Sequence, residues 1–224
     1  LLPIPQETGA AKKARYCMKK RLLSGLLLLA MLLTLLPTMA LADDVVDYYI
    51  DVNGIDVTSE NCTDVLKDGT VSYDPKTKTL TLKNADLSSI WAHGVDLTLK
   101  LVGTNTVSMN GDGEALIIAQ GLTITGDGSL TVRNSYYSSI AIDLRNGAYI
   151  QKSGNVILHG SLLAMDRVTM LRLEGGSLKL EKGYNGFFDS NPSLELPEGG
   201  KLTLTFGGEP KTTKTWEGPI SAED

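Results

Sequence analysis

Three aspartates carry the most regular chemistry in the chain. Asp143, Asp166 and Asp189 each follow an apolar pair (Ala141-Ile142, Ala164-Met165 and Phe187-Phe188), and the separations are 23 and 23 residues. On successive turns of a repeating β fold, equivalent residues stand about 5 Å apart. Neighbouring carboxylates at that spacing repel by about 1 kcal/mol in water and by about 3–4 kcal/mol at an effective dielectric of 20. A hard cation would turn this repulsion into binding. Ca²⁺ suits it, because calcium takes six to eight oxygens in flexible geometry. Two other readings compete. Each Asp ends its strand and caps a turn through its own backbone, or Arg145, Arg167 and Arg172 neutralise the stack.

A second set is aromatic. Trp91, Tyr136, Tyr137, Tyr149 and Tyr184 exceed what the core of such a chain needs. Flat rings with a polar tip offer sugars an apolar platform. Tyr136 and Tyr137 lie in "NSYYSS", an insertion, and insertions in repeating folds map to loops on one face. Tyr137 and Tyr184 are the leading candidates, since both precede Asp-bearing segments, with Tyr136 and Trp91 behind them. His93 and His159 stand apart, without metal-ligand spacing. The chain has no Ser nucleophile elbow, HExxH or phosphate-binding Gly loop, so no catalytic residue is assigned.

The elements that position these residues are short strands. After Ala42 the chain alternates apolar and polar residues in brief runs separated by Gly, Asn, Asp and Ser. The phrases repeat: "LKLVGTNTVSM" (99–109), "LTITGDGSLTV" (122–132), "AYIQKSGNVIL" (148–158), "LRLEGGSLKL" (171–180) and "LELPEGGKLTL" (194–204). Aligning Leu101, Ile124, Ile150, Leu173 and Leu196 gives steps of 23, 26, 23 and 23 residues. Aligning Val107, Leu130, Val156, Leu178 and Leu202 gives 23, 26, 22 and 24. A third apolar segment precedes each unit. Matched spacing at three positions predicts an all-β, right-handed parallel β-helix with three short strands per coil and about 23 residues per coil. Ile142, Met165 and Phe188 then point inward and the aspartates outward. "VSYDPKTKTLTL" (71–82) reads as a partial earlier rung, and "YYIDVNGIDVTSE" (48–60) as a hairpin-like cap.

The expected domain order is residues 1–17 as a gene-start artefact or disordered lead, 18–42 as a signal peptide, 43–70 as the cap region, 71–206 as the β-helix and 207–224 as a C-terminal cap or tail. The signal peptide rests on a basic start (Lys19, Lys20, Arg21), an apolar run from Leu22 to Leu36 and the small-residue end Ala40-Leu41-Ala42. Cleavage after Ala42 leaves 15 basic against 25 acidic residues, a net charge of −10. That excludes a nucleic-acid partner, which requires a basic footprint. The signal peptide predicts a secreted or cell-surface protein with no membrane segment in its mature form. Cys62 is then alone, so no disulfide framework supports the fold.

The stretch "DVNGIDVTSEN", with "DGTVSYDPKTKTLTLKNA" and "LKLVGTNTVSMNGDGEALIIAQGLTITGDGSLTV" after it, resembles a family of secreted clostridial-type proteins. These are classed as carbohydrate-binding domains with a pectate-lyase-like right-handed β-helix. The resemblance covers nearly all of residues 46–206. It implies an extracellular polysaccharide as partner, in some members an acidic plant polysaccharide held with calcium, bound without cleavage. The alternatives are a structural or adhesive surface protein and a pectate-lyase-like enzyme. In the enzyme, calcium carboxylates would work beside an Arg base such as Arg145 or Arg167.

Overall fold

The computed structural model describes residues 9–34, 44–109, 115–137, 139–206 and 211–219. It divides into two compact units, residues 1–44 and residues 45–224. The first contains one helix, Gly9–Thr34, which runs across Met18. Among the described residues no helix is long and apolar enough to cross a membrane. The expected cleavage point after Ala42 lies outside the described residues.

The second unit is a parallel β-solenoid of about five turns. Strands stack on their counterparts one coil later along three faces. The first face carries Ile90–Ala92, Ile117–Ile118, the opening of Ile140–Gln151, the opening of Leu163–Leu173, and Gly186–Phe188. The second carries Thr79–Lys83, Leu97–Val102, Leu122–Thr125, the later parts of the same two long strands, and Ser193–Glu195. The third carries Asp86–Leu87, Thr104–Met109, Ser129–Asn134, Asn155–Gly160, Gly176–Glu181 and Gly200–Phe206.

Stacked inward columns on all three faces build the core. Ile90, Ile117, Ile142, Met165 and Phe188 stack on the first face. Leu87, Val107, Val132, Leu158, Leu180 and Leu204 stack on the third. Most of these side chains are buried. Period-two alternation sends the polar residues between them outward.

The sequence alignment needs two corrections. Ile124 pairs with Leu99, not Leu101, and Val107 pairs with Val132, not Leu130, so the early coils are longer than 23 residues. Farther along, Ile124 pairs with Gln151 and Thr123 with Ile150, which places Tyr149 and Gln151 inside and Ile150 outside. Tyr149 is therefore a core residue, 0% exposed, and not a sugar platform. "AYIQ" has apolar residues at both parities, so alternation alone leaves its register open. Polar satisfaction decides it. Tyr149 Oη donates to Gln151 Oε1 at 2.9 Å, and Gln151 Nε2 donates to the carbonyls of Gly154 and Ser177 at 2.9 and 3.0 Å. Asn105, equally buried, bridges three coils in the same way through Ala85 N, Val102 O and Ser129 O.

The ends differ. Asp47–Val52 and Ile55–Thr58 form the expected hairpin, and Asp47–Val52 pairs antiparallel with Ile90–Ala92. Its turn is Asn53-Gly54, both at positive φ, as a tight two-residue turn requires. Val71–Asp74 folds back antiparallel on Thr79–Lys83, so only the second half of that segment is a rung. At the far end Thr212–Glu217 closes the third face antiparallel to Gly200–Phe206. Beneath the last coil a hollow of about 240 Å³ remains among Leu171, Phe188, Pro192, Leu194, Leu202 and Leu204.

Tight stacking makes the corner between the second and third faces intolerant of side chains. A Cβ on Gly126 (φ +91°) would press into the main chain of Leu101, whereas one on Gly94 (φ +71°) would meet nothing within 4 Å. Both substitutions force an L residue into left-handed backbone, at about 1–2 kcal/mol. Gly126→Ala adds overpacking and is predicted to cost about 2–4 kcal/mol in all. Urea denaturation of the two variants checks this; equal losses would contradict the close stacking.

Candidate functional site

Two corners flank the first face, and the candidate residues divide between them. At the downstream corner, Asp143 and Asp166 are in register, and Asp189 follows Phe188, the partner of Met165. The same column continues backward through Ile118 to Trp91. The chain leaves this corner through left-handed residues, with Arg145 at φ 46°, Asn146 at 73° and Arg167 at 53°.

The aspartates are not equivalent. Asp143 is outward in parity yet only 4% exposed, which corrects the picture of an open ladder. Its Oδ1 accepts from Arg145 N at 3.0 Å, the expected turn cap, and from Arg167 Nε at 2.8 Å. Arg167 Nη2 donates to Asp143 Oδ2, completing a bidentate pair. A guanidinium from the next coil thus balances Asp143. Arg167 Nε lies 3.9 Å from Asp166 Oδ2, and Arg167 N donates to Asp189 Oδ1 at 3.0 Å. Arg172, by contrast, pairs with Glu174 and Glu195 and is not part of this corner.

Asp166 and Asp189 hydrogen-bond each other through their side chains. Burial, then that bond and the charges of Asp189 and Asp143, push Asp166 up to about 6, against the opposing charge of Arg167. Asp189 is held below the ordinary carboxylate range. Burial alone would raise it, but hydrogen bonds from Asp166, Arg167 N and Ser190 outweigh that. The pair therefore shares a proton in mild acid, with Asp166 as its principal holder.

At the upstream corner the tyrosines stack through the main chain. Ser161 Oγ donates to the Tyr136 carbonyl, and Tyr184 N donates to the Ser161 carbonyl at 2.7 Å. Ser161 Oγ also meets Ser139 Oγ at 3.1 Å. Tyr136 and Tyr184 thus occupy one corner two coils apart, and Tyr137 follows directly on Tyr136. Tyr137 and Tyr184 are each 83% exposed and Tyr136 38%. Trp91 is half-buried; its indole N–H donates to Ala115 O at 3.2 Å, and its ring meets His93 edge-on at 6.3 Å. The structure places the three tyrosines at one corner and leaves Trp91 on the other corner's column.

An ionic cluster on the third face escaped the sequence reading. Arg133, His159 and Glu181 align on its outer side. Glu181 lies 3.4 Å from Arg133 Nη2, 3.1 Å from His159 Nδ1 and 3.2 Å from Lys179 Nζ. The His159 contact is short but lacks the alignment of a hydrogen bond. Burial, followed by the charge of Arg133, lowers the His159 pKa, so the ring is neutral at pH 7. The steps from Arg133 to His159 to Glu181, 26 and 22 residues, match the coil period and were the available signal. Among the described residues no group of three or more His, Cys, Asp or Glu is arranged to hold a metal ion. Asp166 and Asp189 alone would give a hard cation at most four oxygens, short of the six to eight that calcium takes. Its other oxygens would have to come from water or a ligand. No protein-family model, curated protein or solved structure matches the chain.

Two outcomes follow for the acidic corner. Arg167→Ala would leave the buried Asp143 carboxylate with only the main-chain N–H of Arg145 and a contact to the Arg145 guanidinium at 4.0 Å. The expected cost is about 2 kcal/mol, less than for a fully enclosed pair because Arg167 itself is 43% exposed. Adding Asp143→Asn is expected to recover at least half of that in denaturant titrations; no recovery would contradict the pairing. Asp166, with its raised folded pKa, binds its proton more tightly folded than unfolded. Its contribution is present in acid and lost as pH rises from the ordinary 3.8 through about 6. Asp166→Asn is therefore expected to melt a few degrees above the parent at pH 8 and close to it at pH 4.5. The same offset at both pH values would contradict the shared proton.

Proposed function

We propose that the protein is a secreted, non-catalytic carbohydrate-binding solenoid that holds an extracellular polysaccharide on its tyrosine corner. One observation carries this reading. Between residues 71 and 206, the exposed large apolar side chains among the described residues are Val102 and the three tyrosines of a single corner. Exposing such rings together leaves apolar area in water that a stacked sugar would cover.

The acidic corner supports binding over cleavage. A lyase base must be free to approach the sugar, and Arg167 is tied to Asp143 through Nε and Nη2. A glycoside hydrolase separates its carboxyl groups by at least about 5 Å across the sugar, whereas Asp166 and Asp189 bond to each other. The resemblance to secreted carbohydrate-binding β-helices points the same way. Calcium belongs to this proposal in a narrow form, held by Asp166 and Asp189 and completed by water and by oxygens of the bound glycan.

Affinity electrophoresis through gels containing plant and bacterial polysaccharides tests the proposal. Tyr137→Ala and Tyr184→Ala are each expected to weaken retention about tenfold, the equivalent of about 1.4 kcal/mol. Their melting temperatures should stay unchanged, since both rings are on the surface. Retention unaffected by both substitutions, or release of unsaturated or reducing ends during incubation, would overturn it. Chelation should weaken retention of the parent but not of Asp166→Asn.

A further inference from the structure

The two ends of the solenoid are finished differently. At the N-terminal end the outermost strands are closed by main chain and side chain. Val65 N donates to the Val71 carbonyl at 2.9 Å and Tyr73 N to the Cys62 carbonyl at 2.6 Å, which covers the edge of Val71–Asp74. Asn61 Nδ2 donates to the Asp56 carbonyl at 2.8 Å and covers the edge of Ile55–Thr58. At the C-terminal end Thr212–Glu217 closes the third face alone. Gly186–Phe188 and Ser193–Glu195, the last strands of the other two faces, pair backward with Leu163–Leu173 and, among the described residues, with no other strand.

The core opens with them. Met165 and Leu171 are 0% and 1% exposed, but their counterparts on the last coil, Phe188 and Leu194, are only partly buried. Both line the hollow of about 240 Å³ beneath that coil. An unpaired strand edge with apolar surface beside it is a template for a further strand. Charge decides which strand fits. From Gly183 to Gly200 the chain carries Asp189, Glu195 and Glu198 and no Lys or Arg. Two such ends facing each other would set acid against acid, which disfavours a second copy. On the outer side of the second face, Arg172 and Glu195 are in register and paired at 2.7 Å. A basic residue on the next rung continues that alternation of sign.

We propose that this end is a docking edge for an extended segment of a basic partner protein. The segment adds a strand roughly 4.8 Å beyond Ser193–Glu195. Its alternate apolar side chains enter the hollow beside Leu194, and its Lys or Arg side chains stand over Glu195 and Glu198. Main-chain pairing supplies the affinity and the acidic rim the choice of partner.

Fluorescence anisotropy of the full chain with labelled synthetic hexapeptides tests this. One peptide alternates lysine and valine, and a second alternates glutamate and valine. Two further lysine–valine peptides are N-methylated on alternate residues, one on each set, so that each blocks a single strand edge. The lysine–valine peptide is expected to bind at least about tenfold tighter than the glutamate–valine peptide. One N-methylated peptide should lose about tenfold and the other should bind like the parent. Glu198→Lys should weaken binding several-fold, whereas Asp127→Lys, the same charge change three coils away at another exposed turn, should not. Glutamate–valine binding as tight, both N-methylated peptides binding like the parent, or equal losses from the two Lys substitutions would overturn the edge. So would failure of the lysine–valine peptide to bind. A dimer in sedimentation that this peptide dissociates would overturn the basic partner in favour of a second copy.

Discussion

Every coil of this protein lies on the one before it through main-chain hydrogen bonds between parallel strands, and that stacking governs the rest. It fixes the spacing of equivalent residues at the interstrand distance, roughly 4.8 Å. Each side chain consequently has two neighbours set by register and not by choice of rotamer. Apolar residues gain from this and form the columns of Ile142 with Met165 and of Val132 with Leu158. Charged residues are forced together, and the chain has to compensate for it.

The compensation is visible at both ionic columns. At the end of the first face, Arg167 reaches back one coil to Asp143 and leaves Asp166 and Asp189 to share a proton. On the third face, Glu181 is balanced by Arg133 and Lys179, with His159 packed beside it. Stacking likewise makes the exposed rings a repeated feature. Tyr136-Tyr137 and Tyr184 share one corner because an insertion in one coil and a turn two coils later reach the same edge. Acidic and aromatic corners flank one short face.

Much of this was legible because a solenoid writes its geometry into spacing. The inward column Ile142, Met165 and Phe188, the alignment of the aspartates and the Asn53-Gly54 hairpin all follow from position alone. What spacing left open was parity where apolar residues adjoin, as at Tyr149-Ile150. Hydrogen bonds inside the core decide there, and a tripeptide pattern contains no record of them. Spacing also said nothing of how far each coil bulges, so Leu101 and Leu99 were interchangeable candidates for Ile124. Burial of Asp143 depended on a guanidinium 24 residues away turning toward it. The column Arg133, His159 and Glu181 was readable by the same rule as the aspartates, but its mixed residue types disguise the period.

Chemical-shift mapping tests the central claim most directly. A backbone-labelled sample titrated with a soluble oligosaccharide of a polysaccharide that retains the protein in gels is predicted to show its largest shifts at Tyr136, Tyr137, Ser161 and Tyr184, fading along the first face toward Asp166 and Asp189. Shifts centred on the third face around Arg133 and Glu181, or no shifts at saturating sugar, would contradict it.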